Sequence, residues 1–170
     1  MDFLHLAKER YSCRKLSDQP VEQEKIRQIL EAAQAAPTAH NKQPEKIWVI
    51  SNPENIRKIH EATPCTFGAG LFLVVGADPA QGWVREFDGR NFADIDAAII
   101  GTHIMLAAED LGLHSTWVGA FDPNVMKKNF PDMDGFDLIA IFPIGYALPE
   151  AHPSRLHGDR KKIEDIVEFL

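Results

Sequence analysis

The sequence predicts a sandwich of interleaved helices and strands, α+β or α/β, built on about four strands. Short apolar runs at residues 47–50, 71–75 and 138–144, and the segment 115–119, have the length of strands. Between them lie segments whose apolar residues recur at helical spacing. Asn-Pro, Asp-Pro and glycine positions separate the two kinds of segment.

Each element has its own signal. Asp2 is placed to cap a first short helix carrying Phe3, Leu6 and Ala7 on one face. Ile26, Ile29, Leu30 and Ala33 follow helical spacing in a second helix, which must stop near Pro37. The strand at 47–50 ends at Ser51-Asn52-Pro53, a cap and first-turn signal for another helix. The run 71–75 is continuously apolar and ends at Gly76, which predicts a strand covered on both faces. The longest helix should span 92–111. Its apolar residues, among them Ile95, Ala98, Ile99, Ile100, Met105 and Leu106, cover more than one stripe, so it is buried in the core or in a subunit interface. Gly112 then terminates it. Asp122-Pro123 starts a short helix, and Ile163, Ile166 and Val167 define a last one.

Composition narrows the function classes. A chain of 170 residues fits one domain, 1–170, with no repeat or interdomain linker. Its net charge of −7 and isoelectric point near 5.4 speak against nucleic acid as the main ligand. No apolar run approaches the roughly 20 residues of a membrane helix. The N-terminus lacks a signal-peptide core, so the expected location is cytoplasmic. Cys13 and Cys65 are too few for a disulfide framework and are expected reduced. The histidines show no metal-ligand spacing, so no metal is expected.

Three segments could carry chemistry. Arg10-Tyr11-Ser12-Cys13-Arg14 places two arginines and a hydroxyl where they suit a phosphate, because guanidinium donors match its oxygens in pairs. A solvated turn is the plainer reading of the same residues. The loop Pro37-Thr38-Ala39-His40-Asn41-Lys42-Gln43-Pro44 offers amides that both donate and accept, as the edge of a heterocycle requires. A connector rich in turn formers explains it equally. In Gly112-Leu113-His114-Ser115-Thr116-Trp117-Val118-Gly119-Ala120 a strand ends at glycine, where a ligand can approach the backbone; an ordinary buried strand is the alternative. There is no Gly-x-Gly-x-x-Gly fingerprint, P-loop or nucleophile elbow.

In order and spacing these segments resemble the FMN-dependent nitroreductase family, in its short members that lack a helical insertion. The resemblance runs from Asp2 to Val167 and includes Arg160-Lys161 before the last predicted helix. It implies an α+β fold with a central, mostly antiparallel sheet of about four strands flanked by helices. It implies FMN, with Arg10 and Ser12 on its phosphate and Arg160 or Lys161 as a further cation. Arg14 matches a basic position near the pyrimidine edge, and Val118, Gly119 and Ala120 the backbone passing the flavin ring; Arg14 and Gly119 are thereby the implied catalytic positions. Pro37, Thr38, Ala39 and Asn41 match a segment contributed by the partner subunit, with Gln43 supporting it. The helix at 92–111 corresponds to the dimer-forming helix of a homodimer. The implied activity is an NAD(P)H-dependent oxidoreductase reducing a small organic acceptor, such as a nitroaromatic or quinone, by a ping-pong mechanism. A flavin carrier or sensor without turnover, or a specialised flavin reductase or dehalogenase, are the other readings. Tyr11 stands where many members have a second arginine, and Glu45 where an aromatic is common. The segment Trp83 to Arg90 is left as the lid, or as a polar surface loop.

Overall fold

The computed structural model describes residues 2–170. Its α-helices are α1 (Phe3–Glu9), α2 (Gln23–Gln34), α3 (Pro53–Ala62), α4 (Ala93–Asp110) and α5 (Pro123–Asn129). Its strands are β1 (Glu45–Ile50), β2 (Leu71–Ala77), β3 (His114–Ser115) and β4 (Asp137–Gly145), in the spatial order β1-β2-β4-β3 with every neighbouring pair antiparallel. This is the α+β sandwich, not the α/β alternative. No helix among the described residues is long and apolar enough to cross a membrane.

The sheet divides the core into two layers. Successive side chains of a strand point to opposite faces. Leu71, Leu73, Val75, Ala140, Phe142 and Ile144 therefore pack with α2 and α4, while Phe72, Val74 and Ile141 pack with α3 and α5. All of β2 is buried, which explains its unbroken apolar run. Phe72 and Phe142 are fully buried on opposite faces, each contributing about 1.5–3 kcal/mol.

Local signals set most boundaries. The Asp2 carboxylate accepts from the His5 amide, Asn52 from Glu54, and Asp122 from Asn124 and Val125. At the end of α4, Gly112 takes φ +73, its amide donates to Glu109 O and the Leu113 amide to Ala108 O, which is a complete Schellman motif. One face of α4 is buried through Ala97, Ile100, Ile104 and Ala108; Ile95, Ala98, Ile99, Met105 and Leu106 on other faces are only half-buried.

The structure corrects four expectations. Gly76 does not end β2 but sits at a register shift in it, as glycine does at a bulge. The strand expected over 115–119 is only His114–Ser115, followed by an isolated bridge between Val118 and Ile141; between them the Thr116 hydroxyl donates to Cys13 O. In α1 only Leu6 is buried, and Phe3 and Ala7 are exposed. The last helix is a 3₁₀ turn, Ile163–Asp165, with Ile163, Ile166 and Val167 exposed; the spacing is amphipathic, yet no surface among the described residues covers it.

Candidate functional site

The segment Arg10 to Arg14 is fastened to the edge of the sheet. Ser12 forms a parallel bridge with Ser115, the Cys13 amide donates to Ser115 O (3.1 Å), and Cys13 is fully buried. With the backbone held and Cys13 turned inward, its neighbours Ser12 and Arg14 face the other way. They border a pocket of about 220 Å³ whose lining includes Arg10, Tyr11, Ser154, Leu156, His157 and Arg160.

Distant parts of the chain complete this pocket. Ser154 caps the 3₁₀ turn Arg155–Gly158 by accepting from the Leu156 amide, and a His157 ring nitrogen lies 3.1 Å from Lys8 O. Arg160 folds back so that its guanidinium donates to Asp159 O (3.2 Å) and Leu156 O (3.4 Å). Arg14 donates to Ser12 O (3.3 Å) and also borders a groove with Lys15, Glu150 and His152. Three arginines thus line one pocket in a chain whose net charge is −7, an arrangement suited to a phosphate. Lys161 is exposed and outside the pocket lining.

Tyr11 packs its ring 5.3 Å from His114 and 6.4 Å from His157. Burial above all, then a hydrogen bond with Cys13 and the charges of Cys13 and Glu109, pushes its phenol up to about 12. Ser154, His157 and Tyr11 were not singled out from the sequence as pocket residues. The only local signal was the cap that Ser154 provides for its turn.

Gly119 and Ala120 follow Val118 out of the sheet. The Val118 amide and carbonyl are both taken by Ile141, and its side chain is buried. Ala120 O accepts from the Thr63 hydroxyl (2.7 Å). Gly119 is exposed, lies outside the left-handed region, and a Cβ there would meet only Trp117 Nε1 at 3.9 Å. Nothing in the chain itself requires glycine at this position. An open, side-chain-free stretch of backbone is what a flat ring lying against it requires.

The loop 37–43 stands apart from the arginine pocket. Pro37, Asn41 and Gln43 are exposed, while Thr38 and Ala39 are half-buried. The Ala39 amide donates to buried Asp96 (2.9 Å), and His40 stacks on Trp83 at 4.8 Å. Gln43 instead borders an open cavity of about 560 Å³ with Arg27, Glu31, Glu45 and Lys46. Asp96 had no sequence signal, since a single Asp early in a helix is common.

The segment Trp83 to Arg90 is ordered as part of a small hairpin: Val84 bridges Asn91, and Arg85 pairs with Asp88. Among the described residues no group of His, Cys, Asp and Glu is placed to hold a metal.

Comparison with known proteins agrees with this fold. The model of the family described as "Nitroreductase family" matches residues 7–67 and 63–146. The chain belongs to the nitroreductase family. Similar to it is a solved nitroreductase family protein from Clostridium difficile 630, 39% identical over 99% of this chain and 98% of that one, with a TM-score of 0.90. A protein of Methanothermobacter thermautotrophicus, named for a proposed NADH dehydrogenase/NAD(P)H nitroreductase activity, is 34% identical over 94% of this chain and 88% of its own length. A nitroreductase-type protein from Exiguobacterium sibiricum, solved in complex with FMN, shares the fold at a TM-score of 0.86 and 20% identity, covering 100% of this chain and 98% of that one. The nitroreductase sandwich therefore accounts for nearly the whole described chain.

Proposed function

We propose that this nitroreductase-family chain is an FMN-dependent oxidoreductase that takes hydride from NAD(P)H and reduces a small organic acceptor, a nitroaromatic or quinone, by a ping-pong mechanism. The observation that carries the reading is the convergence of Arg10, Arg14, Arg160 and Ser12 on one pocket of an otherwise acidic chain. Relatives named as an FMN reductase and as NAD(P)H-dependent oxidoreductases, and the FMN-bound neighbour, support FMN and the nicotinamide donor. FMN, when bound, supplies the two-electron chemistry itself.

The residues present suit that group, and their work is binding and electrostatics. Arg10, Ser12 and Arg160 would hold its terminal phosphate by charge-assisted hydrogen bonds. Arg14 keeps a positive charge at any working pH and would supply it to the ring's pyrimidine edge. The exposed backbone at Gly119 and Ala120 lets the ring lie close, with Val118 anchoring that stretch to β4. Among the described residues no side-chain nucleophile is required.

The loop from Pro37 to Gln43 serves the site of a second copy. It lies away from its own arginine pocket, and α4 keeps Ile95, Ala98, Ile99 and Leu106 only half-buried. A homodimer built on α4 covers those residues and brings each loop to the partner's flavin, with 1–170 acting as one domain per subunit. Light scattering at low micromolar concentration should give about twice the 19.0 kDa chain mass.

Purified protein should be yellow and release FMN on heating, identified by chromatography, and should oxidise NAD(P)H with quinone or nitroaromatic acceptors. Release of FAD, or no flavin uptake on reconstitution, refutes the cofactor. Flavin binding without turnover against an acceptor panel refutes the enzyme and leaves a carrier.

A further inference from the structure

We propose that Asp96 and Trp83 are positioning residues, which hold the loop 38–43 in the conformation that meets the flavin. The proposal rests on the reading above, that this loop touches the cofactor.

The loop has an improbable backbone. His40, Asn41 and Gln43 have φ of 52, 53 and 50, so three non-glycine residues out of four are left-handed. L side chains disfavour that region, and a run of such residues persists only where the surroundings over-determine it. Several bonds lie within the loop. The Asn41 amide donates to Thr38 O (3.0 Å), the Gln43 amide to the Thr38 hydroxyl (3.2 Å), and the Gln43 side chain to Asn41 O (3.2 Å). These bonds define the loop's shape but not its place on the protein.

Two contacts define its place. The Ala39 amide donates to Asp96 Oδ1 (2.9 Å), and the His40 ring stacks on Trp83 at 4.8 Å and 22°. Asp96 is 1% exposed, beside Ala93, Ala97 and Ile100 of α4, and its Oδ2 is buried with no partner among the described residues. A carboxylate sunk there gains nothing from packing that an apolar residue would not give better, and it is costly to leave unbonded. The Ala39 bond explains its presence. If the loop moved away, Asp96 Oδ1 would lose the bond from the Ala39 amide, which favours the seated position.

Both fasteners belong to one platform. Trp83 packs edge-to-face on Phe92 at 5.0 Å, and Trp83 O accepts from the Phe92 amide. Arg85 and Arg90 stand over Phe92 at 5.4 and 5.8 Å, and Phe92 is the N-cap residue of α4. Asp96 lies in the first turn of that helix, where its charge is favoured by the helix dipole. The hairpin from Trp83 to Phe92 is thus a buttress of the loop rather than a free lid, and the start of α4 places the loop.

Four variants of the full chain test this: Asp96→Ala, Asp96→Asn, Trp83→Leu and Asn41→Ala. Each is titrated with FMN, its bound flavin is recorded by visible circular dichroism, and its fold is checked by far-ultraviolet circular dichroism. Asp96→Ala and Trp83→Leu should stay folded, weaken FMN about tenfold, and alter the flavin dichroism. Asp96→Asn keeps an acceptor for the Ala39 amide and should recover most of the affinity and the native flavin signal. Asn41→Ala should also weaken FMN. If it does while Asp96→Ala and Trp83→Leu bind and report flavin like the parent chain, the positioning role is overturned and the flavin contact stands. If Asn41→Ala binds FMN like the parent, the flavin-contact reading falls and this proposal with it. Should Asp96→Ala fail to fold, Trp83→Leu decides, and parental affinity in it overturns the proposal.

Discussion

Replacing Gly119 with alanine separates the needs of the fold from those of a cofactor at one position. A Cβ at Gly119 has only Trp117 Nε1 nearby, at 3.9 Å, and the backbone there is not left-handed. The apo protein should therefore accept alanine without strain. Gly→Ala at a compatible position stabilises by about 0.4–1 kcal/mol, because the unfolded chain loses freedom. For a chain of this length that raises the melting temperature by about 1–4 °C. A flavin ring lying against the same backbone meets the new methyl group, and overpacking of that kind costs about 1–3 kcal/mol. FMN affinity should then fall about 5–150-fold. Scanning calorimetry of the apo protein and a fluorescence titration with FMN measure the two effects independently. A lower apo melting temperature refutes the open space around Gly119, and an unchanged FMN affinity removes Gly119 and its neighbours from the cofactor site.

Two further outcomes follow from the arginines and from Tyr11. Arg14 is exposed, so its charge-assisted contribution lies near the lower end of about 1.5–3 kcal/mol; with about 30 mV for each 1.4 kcal/mol, Arg14→Gln should lower the bound-flavin potential by about 30 mV. Arg10→Gln should instead weaken FMN about tenfold with the potential unchanged, and redox titration at saturating FMN distinguishes them: an unmoved potential in Arg14→Gln assigns Arg14 to the phosphate. Tyr11 keeps its proton up to about 12 in the folded chain against about 10 when unfolded, so the folded state holds more protons between those values and stability falls as pH rises through them. Tyr11→Phe should lack that share of the alkaline decline when unfolding is followed at about pH 9 and pH 11; identical slopes in both proteins would show that the phenol is not perturbed.

What the sequence determined by itself is local. Asp2, Asn52-Pro53, Asp122-Pro123 and Gly112 act on backbone groups within a few residues, so their capping roles are legible without knowing the fold. The unbroken apolar run of β2 likewise reports its own burial on both faces. The arginines of the 10–14 segment could be named from residue type, and Arg160 from the family resemblance. Their meeting could not: it depends on Ser12 pairing with Ser115 and on the turn at Ser154 returning the chain to the first helix, contacts between residues far apart in sequence. β3 is shorter than expected and its Ser115 meets Ser12 and Cys13 of a distant segment, a contact that strand propensity does not register. The same limit defeated the last predicted helix, because amphipathic spacing states which face seeks cover but not whether this chain supplies it. Asp96 is the extreme case: a helical acid with no local signal, whose role appears only when the Ala39 amide is brought to it across the fold.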